Sequence, residues 1–176
     1  SLALLDPAVV TRRAILPLLD EKIAEREGID RRTWNRRNHW YERMAYLAGN
    51  IRTQHPEIRA FLDRCLYEFT GVWLKAKAIR SLGSMYARGY KELFEEIAVG
   101  DFGDVALRES MPEDETVYLR RKAIQALAHI GDRDTLTRLR ANRTAWCPEL
   151  ERALYRTSEE IRWRLSLGHS YPANDK

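Results

Sequence analysis

The chain contains 176 residues, of which 44% are hydrophobic and 32% are charged, and its formal net charge is +4 at pH 7. This length and this apolar content allow a sizeable core to form without disulfides or a metal. No apolar run approaches the roughly eighteen residues of a membrane-spanning helix, so we expect no membrane partner. The modest positive charge does not by itself indicate a nucleic-acid partner.

The two cysteines, Cys65 and Cys147, match no metal-binding or redox spacing. Such isolated cysteines are typical of a reducing compartment, so we expect a cytoplasmic protein. The chain begins at Ser1 and not at a methionine. We therefore expect either an excised piece of a longer protein or a chain that was simply trimmed. The repeats and the missing catalytic patterns described below favour a part of a larger protein or complex.

Helical patterns run through the whole chain, and neither apolar–polar alternation nor a hairpin signal indicates a strand. Asp6 and Pro7 predict the start of a first helix, which Pro17 should kink and Gly28 should end. A second helix is predicted at about 31–53. The N-terminal region is therefore expected to be helical, although it matches no motif.

Further helices are predicted at 56–70, about 72–87, 90–99, about 117–130, 135–141 and about 148–167. The segment 100–116 contains glycines, a proline and an acidic run, so we predict a loop there. A loop of this length inside a compact helical array is often functional.

Two of these helices repeat one another. The segment that begins at Val72 resembles the segment that begins at Val117, about 45 residues later, at most of the apolar and small positions. A second similarity, at about twice that spacing, joins residues 55–64 to residues 147–156. Repeats of this length are the sequence signature of stacked helix pairs.

The clearest motif runs Leu-Arg-Arg-Lys-Ala-Ile-Gln-Ala-Leu-Ala-His-Ile-Gly-Asp within residues 117–132. It resembles the inner helix and the following turn of a HEAT repeat, of the short variety first described in phycobilisome lyases. The positions that carry the resemblance are Leu119, Arg120, Ala123, Ile124, Ala126, Leu127, Ile130, Gly131 and Asp132. The copy at 72–87 keeps Leu74, Ala78, Ile79, Leu82 and Gly83.

The resemblance implies an all-α fold, namely a right-handed α-solenoid of stacked antiparallel helix pairs of the HEAT/armadillo type. It implies one repeat domain, with divergent helices at 1–53, HEAT-like repeats at 54–142, a C-terminal helix pair or cap at 143–168 and a tail at 169–176. Within the motif, we expect Gly131 to end its helix in a left-handed conformation and Asp132 to cap the next helix.

Patterns for catalysis or metal binding are absent from the sequence. No two of the four histidines lie three or four residues apart, and none precedes a glutamate as in the di-iron hydroxylases of the HEAT fold. No phosphate-binding loop, nucleophile elbow or Cys–His signature occurs. We therefore expect no enzymatic activity and no metal, cofactor or small-molecule substrate.

A first candidate binding cluster lies on the second predicted helix. Its basic side chains recur on one helical face beside a tryptophan. They suit a phosphate backbone with stacked bases, and they suit an acidic peptide or a neighbouring acidic domain equally well. Alternatively, its arginines are solvated or paired with glutamates. The cluster comprises Arg32, Arg36, Arg37, His39, Trp40 and Arg43.

A second candidate cluster lies within the two motif copies and comprises Lys75, Lys77, Arg121 and Lys122. In HEAT arrays this helix lines the concave face, so a basic ladder is expected along that groove. The alternative is a structural role, in which these side chains bridge to acidic residues of the adjacent repeat. We expect that structural role for Arg120, and greater freedom for Lys77 and Lys122.

The third candidate is the acidic loop. Its carboxylates could bind a basic partner or fold back over the basic face, whereas the alternative is a tolerated insertion. They belong to Asp101, Asp104, Glu113, Asp114 and Glu115.

Together these patterns predict a non-enzymatic α-solenoid that acts as a scaffold or protein–protein interaction module, with another protein or a neighbouring domain as its partner. The alternative is a nucleic-acid-binding HEAT-repeat protein that uses a basic helical face.

Overall fold

The computed structural model describes residue 9 and residues 11–17, 31–53, 55–109, 111–142 and 146–167; for residues 14 and 31–38 it describes the backbone only. These ranges contain helices and no strand, which confirms the all-α class. None of the described helices is both long and apolar enough to span a bilayer. The α-helices are α1 (Arg31–Ile51), α2 (Pro56–Tyr67), α3 (Val72–Ser84), α4 (Lys91–Val99), α5 (Glu113–Ile130), α6 (Arg133–Ala141) and α7 (Pro148–Ser166).

The helices are arranged in two layers. In the first layer α1 packs against α3, α3 against α5 and α5 against α7, so the odd-numbered helices form a continuous row. In the second layer α2 packs against α3, α4 against α5 and α6 against α7, and α4 also contacts α6. The two motif copies occupy α3 and α5, which are therefore direct neighbours in the odd row.

The apolar stripe of α2 shows how the sequence pattern produces this packing. Pro56 begins the helix, where its fixed φ and missing N–H are tolerated. The apolar residues that follow recur every three or four positions, so they share one face, and burying each contributes roughly 1.5–3 kcal/mol. The buried residues of this stripe are Ile58, Phe61, Leu62, Cys65 and Leu66.

The odd row is held together at small residues. A Cβ added at Gly83 of α3 would lie 2.7 Å from the Cβ of Ala126 on α5, and a Cβ added at Gly49 of α1 would lie 2.7 Å from the Cα of Ser81 on α3. The Ser81 hydroxyl also donates to the backbone oxygen of Ala45, within α1. At these positions the backbone of one helix contacts a small side chain of the next. Such contacts are needed when two helices pack at the short end of the usual range of interhelical distances.

Lys75 does not line a binding groove, contrary to the sequence-based prediction. Its side chain is fully buried, and its ammonium donates to the backbone oxygens of Cys65 (3.2 Å), Leu66 (2.6 Å) and Phe69 at the end of α2. These oxygens lack partners within the helix and carry the negative end of its dipole, so a buried cation stabilises them. Lys75 is a structural residue.

Arg120 plays the corresponding role in the second motif copy. It occupies the position of α5 that Lys75 occupies in α3, and its Nε donates to the backbone oxygen of Ala98 near the end of α4 (3.1 Å). Its guanidinium also lies 5.7 Å from the centre of the Trp146 ring. The expected structural role of Arg120 is therefore observed, with a helix carbonyl as its partner and not the acidic side chain that was expected.

The turn after α5 confirms one expectation and corrects another. Asp132 caps α6 as predicted, since its carboxylate accepts from the Thr135 N–H (3.0 Å) while the Thr135 hydroxyl accepts from the Asp132 N–H (3.2 Å). The prediction of a left-handed Gly131 is wrong, because its backbone is extended, with φ −71° and ψ 163°. A glycine is needed there because a Cβ would lie 2.7 Å from the backbone oxygen of Leu127.

The acidic run Glu113-Asp114-Glu115 is not part of a loop, as the sequence had suggested. These residues form the first turn of α5, which begins directly after Pro112. Carboxylates are favoured there because they face the positive end of the helix dipole. The loop is therefore shorter than predicted, although Asp101 and Asp104 remain within it and are exposed.

At the N-terminus, the described residues include a π-helical turn at Thr11–Ile15 just before Pro17. The Thr11 hydroxyl bonds to that of Thr53 (3.1 Å), which joins this turn to the end of α1. The predicted helix boundaries at Asp6 and Gly28 lie outside the described residues.

Gly83→Ala should destabilise the protein by about 1–3 kcal/mol, because the added methyl group overlaps Ala126 and overpacking outweighs the gain in helix propensity. The measurement is the free energy of unfolding in a urea titration. Gly89→Ala is the matched control, since nothing lies within 4 Å of its added Cβ. Equal stabilities for the two variants would contradict close packing at Gly83.

Lys75→Met should lower the free energy of unfolding by about 2–4 kcal/mol, because three buried backbone oxygens lose the Lys75 ammonium as a donor and, among the described contacts, only that of Leu66 keeps the bond from the Ala106 N–H. The same substitution at Lys77, which lies two positions along α3 and is only partly buried, should change stability by less than about 0.5 kcal/mol. A comparable loss at both positions would show that Lys75 does not cap α2.

The stability contributed at Lys75 should also depend on pH. Burial lowers the pKa of Lys75 to about 8, whereas an unfolded lysine titrates near 10.4. Between these values the unfolded chain binds more protons, so the free energy of unfolding rises with pH. The amount by which the free energy of unfolding of the wild type exceeds that of Lys75→Met should therefore grow by about 2–3 kcal/mol from pH 7.5 to pH 10.5. A constant difference in the free energy of unfolding would contradict the lowered pKa.

Candidate functional site

A groove of about 470 Å³ crosses the odd row over α1, α3 and α5. Its cationic side chains are Arg52 on α1's C-terminal turn, Arg80 on α3 and Lys122 on α5. The small residues Gly49 and Ala126 form part of its floor, so the longer basic side chains form its rims. No aspartate or glutamate is among the described residues that line it. The remaining polar residues of the lining are Asn50, Ser84, Gln125 and His129.

Helical spacing explains why these side chains meet. Lys77, Arg80 and Ser84 lie at i, i+3 and i+7 on α3, so they share one face. Tyr118, Lys122, Gln125 and His129 follow the same rule on α5, and Tyr46 and Asn50 do so on α1. Because the helices are neighbours, the three faces join into one surface.

Arg52 enters the groove from an unusual backbone conformation. Its φ is +50°, and Tyr86, which follows the end of α3, has a φ of +56°. The Arg52 guanidinium lies 5.6 Å from the centre of the Tyr86 ring, and the same ring contacts His129. Left-handed conformations of residues other than glycine cost about 1–3 kcal/mol and are concentrated at functional sites.

A second depression, of about 240 Å³, continues the basic surface from α5 to α7. It shares Gln125 with the first groove and adds Arg152 and Arg156 on α7. Arg121 also lines it, but its guanidinium is bonded to Glu149. We define the basic face as the cationic side chains of this surface other than the paired Arg121, namely Arg52, Lys77, Arg80, Lys122, Arg152 and Arg156.

The basic face carries uncompensated positive charge. Within the described part of the chain, none of its six cations forms an ion pair with a carboxylate. Burial lowers the pKa of Lys122, and the charges of Arg121, Arg80 and Lys77 lower it further. Like charges that lower each other's pKa create a site that favours an anion.

The positive charge of this surface also lowers the pKa values of two neighbouring groups, the phenol of Tyr46 and the imidazole of His129. The pKa of Tyr46 is lowered, first by its hydrogen bond with Asn50 and then by the charge of Arg80. The pKa of His129 is lowered by burial, and the charge of Arg52 acts in the same direction. His129 is therefore neutral at pH 7, where it can accept or donate a hydrogen bond within the groove.

The first predicted cluster is only partly described, and it lies apart from this groove. His39, Trp40 and Arg43 are exposed on α1, with the Arg43 guanidinium 5.9 Å from the centre of the Trp40 ring. His39 lines a different depression, which it shares with Trp73. The side chains of Arg32, Arg36 and Arg37 lie outside the described residues.

The second cluster is divided by the structure. Lys77 and Lys122 lie on the basic face, whereas Arg121 pairs with Glu149 and Lys75 is buried. Sequence reasoning missed the other members of the face. The signal in the sequence was the spacing of cations three or four positions apart on two helices, at Lys77 and Arg80 and again at Arg152 and Arg156.

The acidic residues make local contacts. Glu115 is paired with Arg108, and the Asp101 carboxylate accepts from the Gly103 N–H (3.1 Å). No contact among the described residues joins Asp101, Asp104, Glu113, Asp114 or Glu115 to the basic face. The described residues also contain no group of three histidine, cysteine or carboxylate side chains that could hold a metal ion.

The groove and the neighbouring depression thus concentrate positive charge that can hold an anion. Comparison of the chain with protein-family models, with curated proteins and with solved structures finds no match to any of them.

Proposed function

We propose that this chain is a non-enzymatic binding module, built as a right-handed α-solenoid of HEAT-like helix pairs, whose basic face holds an anionic macromolecule. The observation that carries the proposal is the concentration of six unpaired cations on one face of four neighbouring helices, although the net charge of the chain is only +4. Charge of one sign gathered on one surface attracts an oppositely charged partner and speeds its association.

The repeat character of the fold supports the solenoid. The two motif copies lie side by side on α3 and α5, and in each copy the basic residue at the same position binds the end of the preceding helix. A unit that packs in the same way on each neighbour can be stacked into a continuous core. Such arrays present extended surfaces to partners.

The last helix supports a role within a larger protein or complex. Tyr155 and Trp163 on α7 are exposed to 70% and 65%, and Leu167 follows at 47%. Large apolar side chains exposed together mark interaction sites more often than solvated surface. We propose that a protein partner or a neighbouring domain, in the cytoplasm, packs against this end of the row.

The paired substitution Arg80→Glu and Lys122→Glu should weaken binding of heparin, used here as a generic polyanion, at least about tenfold at 100 mM salt. The reason is that the variant removes two cations from the groove and adds two repelling charges. The measurement is a competition titration with labelled heparin, together with the salt concentration that elutes the protein from a heparin column.

The matched control is Arg133→Glu with Arg140→Glu, which changes the net charge equally on exposed positions of α6. Thermal melts of both variants confirm folding. If the control loses as much affinity as the groove variant, binding follows net charge alone and the proposed site is wrong.

A further inference from the structure

Aromatic rings are interleaved with the cations of the basic face. Tyr46 on α1 is 40% exposed, with the Lys77 ammonium 5.3 Å and the Arg80 guanidinium 4.9 Å from its ring centre. Tyr118 on α5 is flanked in the same way, by Arg121 at 5.1 Å and Lys122 at 5.3 Å. Each ring is therefore paired with two cations from its own or a neighbouring helix.

A third ring lies at the border of this surface, since Trp73 also lines the depression that contains His39, Glu42 and Glu115. Trp73 lies one turn before Lys77 on α3, and its side chain is 58% exposed. Its ring centre lies 4.7 Å from that of Tyr118 on the next helix. The two rings form an aromatic platform beside the groove. The exposed part of the Trp73 ring offers a flat apolar area that a planar ligand can cover.

These features favour bases with phosphates over an acidic peptide. The face of an aromatic ring carries negative charge, so an aspartate or glutamate side chain gains nothing by lying on it. A nucleobase stacks on the same ring, and its phosphate is then within reach of the flanking lysine or arginine. A ligand that carries both bases and phosphates can use the rings and the cations of this surface at once.

The rings also discriminate between single strands and duplexes. In a duplex the bases are stacked on one another, so their faces are not available to Tyr46 or Trp73. An unpaired strand exposes its bases to aromatic side chains, and stacking of this kind tolerates any sequence. The amide groups of Asn50 and Gln125 in the groove supply donors and acceptors for base edges or sugar hydroxyls.

We infer that the ligand of the basic face is a single-stranded nucleic acid, with its phosphates along the cations and its bases on Trp73, Tyr118 and Tyr46. This inference rests on the proposed function, because it names the class of anion that the same surface holds. Sites of this kind cover on the order of 4–16 nucleotides, which fits a face that crosses four helices.

The test is fluorescence anisotropy with four labelled probes. They are a mixed-sequence DNA strand of about 15 nucleotides, the RNA of the same sequence, the corresponding duplex and a polyglutamate peptide of about 15 residues. We expect both single strands to bind at least about tenfold more tightly than the duplex or the peptide. Their affinity should fall steeply with salt, with a logarithmic slope of about −3 to −4 for five or six phosphate contacts.

The aromatic variants separate stacking from charge. Trp73→Leu and Tyr46→Leu should each weaken single-strand binding about tenfold and leave heparin binding unchanged. Tyr67→Leu is the matched control, because Tyr67 is 42% exposed at the end of α2, which contributes no residue to the basic face. Circular dichroism melts verify that each variant is folded.

The outcomes distinguish the two proposals. Equal binding of single strand and duplex, or affinity that does not depend on Trp73 and Tyr46, would overturn the inference and leave the anion-binding module intact. Tighter binding of polyglutamate would also overturn it and would identify an acidic protein as the partner. If neither the oligonucleotides, the peptide nor heparin binds, both proposals fail.

Discussion

The close approach of the odd-numbered helices is the constraint on which the rest of the structure depends. Gly83 meets Ala126 and Gly49 meets Ser81, so at these two points α1, α3 and α5 approach so closely that an added methyl group would clash. Long side chains are consequently displaced to the edges of each contact. The basic residues of neighbouring helices lie side by side there. The small residues of the floor leave the space between them open as a groove.

In the two motif copies, basic side chains have two different positions in the fold: some bind helix ends and others lie on the basic face. Lys75 and Arg120 bind the carbonyl ends of α2 and α4. Lys77 and Lys122, two positions further along, lie on the basic face, where Lys77 contacts Tyr46 and Lys122 lines the groove. A shift of two residues turns a side chain by more than half of a helical circumference. Structural and partner-binding cations can thus alternate within a single turn of the same helix.

This alternation explains what could be predicted from the sequence. Helices follow from local periodicity, and the Asp132 cap follows from side chains three residues apart, so both were predictable. The buried position of Lys75 was not, because a lysine is normally exposed and only the end of α2 makes burial favourable. The grouping of Arg52 with Arg80 was equally hidden, since these residues become neighbours only when α1 and α3 pack.

The crowding of like charges around Lys122 has a consequence for how ionic strength acts on the molecule. Repulsion among these cations is present in the folded chain and is relieved when the chain unfolds, so it lowers the stability of the unliganded protein. Added salt screens that repulsion and also screens attraction to a polyanion. Salt is therefore expected to have opposite effects on folding and on association. An anion bound as proposed would relieve the same repulsion that salt screens.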